Sequence, residues 1–82
     1  MKNSTVEKIV EDMNEEFGNM LVADVTAKGN IQISIRTRRY MDMYEVEELL
    51  NGALEYITMK HDVDFSIINH YKNALIVEVF EY

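Results

Sequence analysis

His61-Asp62-Val63-Asp64 is the first place to look for chemistry, because an imidazole flanked by carboxylates is the raw material of a metal site or an acid–base pair. A metal site needs a third convergent donor. The only other histidine is His70, and there is no cysteine. Strand geometry also sends successive side chains to opposite faces. His70 lies next to a turn signal and reads as a surface residue. Asp/Glu pairs are abundant, but they fall on helix faces turned to water, where nothing would tune their protonation. No G-x-G-x-x-G, Walker loop or nucleophile elbow occurs. The expectation is no metal, no cofactor and no catalysis.

A second concentration of reactive types is "IRTRRY", residues 35–40. It gathers three of the eight basic residues of a chain whose net charge is −7. Together with Phe80 and Tyr82 it is a faint version of an RNA-binding sheet, where bases stack on aromatics flanked by cations. The overall charge opposes that use, since nucleic acid and anionic lipid both reward cations. It permits a basic protein partner.

The elements that must position these residues follow from periodicity. Ser4-Thr5-Val6-Glu7 has capping-box form. Val6, Ile9, Val10, Met13 and Phe17 then make one helical stripe, and Gly18 is expected to end the helix in a left-handed conformation. Leu21, Ala23 and Val25, then Ile31, Ile33 and Ile35, alternate with polar residues as two strands joined through Lys28-Gly29. A second helix is expected from Asp42, with Glu45 three residues on. Its stripe is Val46, Leu49, Leu50, Ala53, Leu54 and Ile57, with Gly52 on the outer side. Val63, Phe65 and Ile67 begin a last hairpin, closed by "ALIVEVF" at 74–80 after Lys72-Asn73.

The order α-β-β-α-β-β has corresponding halves. "VEKIVE" echoes "VEELLN", and Tyr40 and Tyr82 close the two units, 4–40 and 42–82. The expected fold is one α+β domain: a four-stranded antiparallel sheet ordered β1-β2-β4-β3 with both helices on one face, a circularly permuted ferredoxin-like sandwich. A hydrophobic share of 48% suffices for such a core. No run approaches the ~20 apolar residues of a membrane span. With no signal-like apolar start and no cysteine, a cytoplasmic location is expected.

A sheet covered on one face leaves the other bare. Arg36, Arg38 and Tyr40 with Ile68, Ile76, Phe80 and Tyr82 are expected there as one partner-binding patch, since arginine and aromatics are enriched at interfaces. Val22, Asp24 and Ser66 join them from the edge strands. Arg36 is expected to pair across strands with Glu78. The simplest cover for the patch is a second copy, giving a homodimer through the sheet faces. On the helices, Glu11, Glu15, Glu48 and Glu55 fall opposite the apolar stripes as an acidic surface; Glu11/Glu15 is a mildly destabilising like-charge pair, some of which a Lys8/Asp12 pair is expected to offset.

In size and composition the chain resembles many phage-encoded inhibitors, among them anti-CRISPR and anti-restriction proteins. That likeness implies a non-catalytic inhibitor that occupies a surface, such as a basic nucleic-acid channel, on a larger protein. The alternatives are a ferredoxin-like regulatory or RNA-binding module using the open sheet face, and a self-associating structural domain.

Overall fold

The computed structural model describes residues 3–36 and 41–81. Helix α1 spans Asn3–Phe17. It buries Val6, Ile9 and Met13, with Val10 and Phe17 packed partly against them, so the stripe faces the sheet as its spacing demands. The helix is already formed at Asn3, one residue ahead of the expected cap at Ser4. Gly18 is not left-handed, contrary to expectation; Gly29 is the positive-φ glycine among the described residues. Gly18 serves clearance instead. A Cβ there would overlap the main-chain oxygen of Asn14.

Strands β1 (Leu21–Val25) and β2 (Ile31–Ile35) form an antiparallel hairpin. Gly29 turns it with φ 83°, and its N–H donates to the Thr26 carbonyl at 2.9 Å. Helix α2 spans Met43–His61 and starts where the sequence places it: the Asp42 carboxylate accepts from the Glu45 N–H at 2.8 Å. Val46, Leu50, Ala53, Leu54 and Ile57 are buried. The helix ends on Asp62 in the left-handed region, φ 52° and ψ 49°, a conformation the short polar side chain of aspartate tolerates. That reversal sends the chain directly into β3 (Val63–Tyr71), and Lys72-Asn73 turns it back into β4 (Ala74–Glu81).

The sheet is antiparallel throughout in the order β1-β2-β4-β3, with both helices on one face. This is the connectivity of a circularly permuted ferredoxin-like sandwich. Ala23, Ile33 and Leu75 lie in one row across the sheet, and Ile31 and Val77 in the next. All five are at most 2% exposed. Burying an isoleucine or leucine fully contributes about 1.5–3 kcal/mol, so these rows under the helix stripes hold the two layers together.

β3 departs from the expected alternation. Val63 is buried and Phe65 half-buried, but Ile67 is 48% exposed. Ile67 pairs with Val77 and Asn69 with Ile76, so Ile68 is the extra residue of a β-bulge. Beyond it the faces exchange. His70, paired with Leu75, lies on the helix side, and Asn69 and Tyr71 lie on the open side. Among the described residues no helix is long and apolar enough to cross a membrane.

Candidate interaction surfaces

Pairing fixes what the open face presents. One row across it reads Val22, Ser34, Ala74, Tyr71; the next reads Asp24, Gln32, Ile76, Asn69. Glu78 with Ser66, and Phe80 with Asp64, extend it along β3 and β4. The middle is therefore mostly small and polar. Tyr71 and Phe80 are exposed at 55% and 40%, and Ile76 is half-buried between Gln32 and Asn69.

The expected patch is not drawn together. By the β2–β4 register Arg36 falls opposite Lys72, eight residues from Phe80 along β4. At ~3.3 Å per residue that is about 26 Å. Arg36 lies at the α1–β1 end, where its guanidinium donates to the Gly18 carbonyl at 3.2 Å. The Arg36–Glu78 pair fails for the same reason: Glu78 lies opposite Ser66, six positions from Arg36's level. Their equivalence in the two half-units concealed that antiparallel strands place equivalent positions at opposite ends. Ile68 sits at the bulge on the outer strand, away from Arg36. Arg38, Tyr40 and Tyr82 lie outside the described residues.

The helical layer is different in character. Glu11 and Glu15 on α1, and Glu48 and Glu55 on α2, are all exposed. α1 carries five acids against Lys8, and α2 four acids against Lys60, so the helices hold −4 and −3. Together they account for the whole net charge of −7, and the six acids and six bases elsewhere in the chain cancel. The net charge is thus carried by the two helices, which share one face of the sheet. On the outer face of α2, Gly52 leaves a bare spot flanked by Tyr44, Glu48 and Glu55, with nothing within 4 Å of where a Cβ would lie.

The cluster that sequence reasoning missed joins the two helices. Asp12 of α1 accepts from Lys60 Nζ at 2.9 Å and from the Tyr56 hydroxyl at 3.1 Å, and lies 2.8 Å from His61 Nε2. Lys60 Nζ also donates to the Tyr56 oxygen at 2.9 Å, and Phe17 meets the Tyr56 ring edge-on at 5.3 Å. Asp12 thus faces α2, and the expected Lys8/Asp12 pair is not an ion pair among the described residues. The Tyr56 hydroxyl and then Asp12 hold the Lys60 ammonium above its ordinary pKa. The Lys60 hydrogen bond, against partial burial and with help from His61 and Tyr56, holds Asp12 below its own. Both shifts strengthen the charged forms. The arrangement clamps α1 to α2 and leaves neither group poised to exchange a proton near neutrality. Asp12 is more than forty residues from its partners on α2, and the visible hint is the i, i+4 spacing of Tyr56 and Lys60 beside the apolar stripe.

A shallow cleft of about 250 Å³ opens between the start of α2 and the β3–β4 turn, lined by Met43, Val46, Glu47, His70, Tyr71 and Lys72. Its polar side chains are all exposed, so water is not excluded from them. Among the described residues, no three His, Cys, Asp or Glu side chains are placed to hold a metal ion. Comparison with protein-family models, with curated proteins and with solved structures finds no match to this chain.

Proposed function

We propose that the protein is a non-catalytic interaction module that uses its acidic helical layer to occupy a basic surface of a larger protein. The observation that carries this is the segregation of charge: the two helices hold the full −7, and Glu11, Glu15, Glu48 and Glu55 all stand free in solvent. A field of one sign over one face steers a partner of opposite sign and orients it at encounter. The polar cluster at Asp12 supports the non-catalytic reading, because its charges satisfy one another within the helix layer. A nucleic-acid-binding channel in another protein is the kind of basic surface such a face would occupy, in the manner of the inhibitors the chain resembles in size and composition.

The test is co-purification from the native host with wild type and with Glu11→Lys, Glu15→Lys, Glu48→Lys, Glu55→Lys combined. Wild type retains a partner with a basic surface and releases it as salt rises. The reversed variant, with an unchanged circular dichroism spectrum, retains none. A partner held equally by both proteins would remove the helical layer from the account.

A further inference from the structure

The two edges of the sheet are finished differently. The Ile35 N–H donates to the Asn73 carbonyl at 2.9 Å, which fixes the alternation of the antiparallel ladder. Leu75 and Val77 then aim their main-chain groups at β2, and Ala74, Ile76, Glu78 and Phe80 aim theirs at β3. Carried to the outside, the same alternation turns the N–H and C=O of Ala23 outward on β1. There the side chain of Asn14 meets both, accepting from Ala23 N–H at 2.8 Å and donating to its carbonyl at 2.9 Å. On β3 the outward groups belong to Val63, Phe65, Ile67 and His70. Phe65 N–H is taken by the Asp64 carboxylate at 2.8 Å. For Val63, Ile67 and His70, the outward groups have no hydrogen-bond partner among the described residues.

We propose that this edge pairs with β3 of a second copy, antiparallel about a twofold axis between Ile68 and Asn69, joining two sheets into one of eight strands. Three features favour a second copy over another strand. The first is spacing. A regular strand offers outward groups every second residue, whereas the bulge separates those of Ile67 and His70 by three. An identical bulged strand has the same irregular spacing, so Ile67 meets His70 of the second copy and His70 meets Ile67. The second is charge. Antiparallel pairing brings Asp64 of each chain toward Lys72 of the other, while Phe65–Val77 between and beyond them contains no acid in a chain of net charge −7. The third is apolar exposure. Ile67, Ile68 and Tyr71, exposed at 48%, 47% and 55%, lie on this one strand. Pairing sets Ile67 beside His70 on the helix side and Tyr71 beside Ser66 on the open side, so each face of the joint keeps its own residues together. This edge does not include the helical acids and does not depend on what they bind.

The experiment is sedimentation equilibrium from low micromolar to millimolar protein, with amide exchange followed in the same samples. The mass is expected to rise to twice the 9.6 kDa of the chain. The Ile67 and His70 amides are expected to slow at least tenfold with concentration, while Ala23 is already slow and does not change. Ile68→Lys, which sets a lysine of each chain at the axis, is expected to remain monomeric with native circular dichroism. Phe80→Asp on the open face is expected to stay dimeric. A monomer at millimolar concentration with fast Ile67 and His70 amides overturns the proposal. So does a dimer lost in Phe80→Asp and kept in Ile68→Lys, or protection of those amides that appears only when host extract is added and thus belongs to a foreign strand.

Discussion

Replacing Asn14 by alanine removes both hydrogen bonds that close the β1 edge, at 2.8 and 2.9 Å. A net intramolecular hydrogen bond is worth about 0.5–1.5 kcal/mol, so the pair contributes roughly 1–3 kcal/mol. Alanine favours the helix over asparagine by about 0.6 kcal/mol and offsets part of the loss. The expected net destabilisation is therefore about 0.5–2.5 kcal/mol. For a domain of this size that corresponds to a melting temperature lower by roughly 3–15 °C. Urea unfolding gives the free energy, and exchange of the Ala23 amide gives the local cause, since its N–H loses its only acceptor on that side. Asn14→Asp separates the two bonds: it keeps an acceptor for the N–H but sets a carboxylate against the Ala23 carbonyl, and should not recover wild-type stability. An Asn14→Ala variant as stable as wild type, with unchanged protection at Ala23, would refute the view that this side chain guards the edge.

Asp12→Asn should lower stability at neutral pH with a defined pH dependence. Asp12's pKa is depressed, so its contribution is present above the unfolded carboxylate value and fades as pH falls through the folded one. Lys60's pKa is raised, so its contribution is complete below the unfolded lysine value and fades only as pH rises beyond the usual lysine range. Wild type and variant should differ across the plateau between those limits and converge in strong acid; a pH-independent difference in melting temperature would contradict the ion-pair account. Gly52→Ala should stabilise by about 0.5–1 kcal/mol, because the position is helical, exposed and open around the added methyl. Gly18→Ala should destabilise, because the methyl overlaps the Asn14 carbonyl. Denaturant midpoints for the two glycine variants moving in the same direction would contradict one of these assignments.

The fold was legible because its signals are local and repeated. Both helix stripes are buried as their spacing implies, Asp42 caps α2, and alternation in β1, β2 and β4 identifies the inward residues. What escaped depends on contacts between distant segments. Nothing in Ile67-Ile68 distinguishes a bulged strand from a straight one until β4 is laid against it. Asn14 and Asp12 look like ordinary polar positions of α1, and their partners lie on β1 and α2. The sheet-face patch failed at its register: strand membership was right, but antiparallel pairing carries Arg36 and Phe80 to opposite ends. The acidic helix residues were legible as exposed, since helical spacing alone sets them opposite the stripes.

The measurement that bears most directly on function is the affinity of the isolated partner for the wild-type protein and for the Glu11, Glu15, Glu48, Glu55 lysine variant, each across a salt series. Interaction between solvent-exposed charges is screened over a Debye length of about 8 Å at physiological ionic strength, shorter as salt rises. Recognition by the helical layer predicts wild-type binding that weakens steeply with salt, and no measurable binding by the folded variant at any salt. Equal affinities for the two proteins, flat across the salt series, would show that the acids of α1 and α2 only keep the protein in solution.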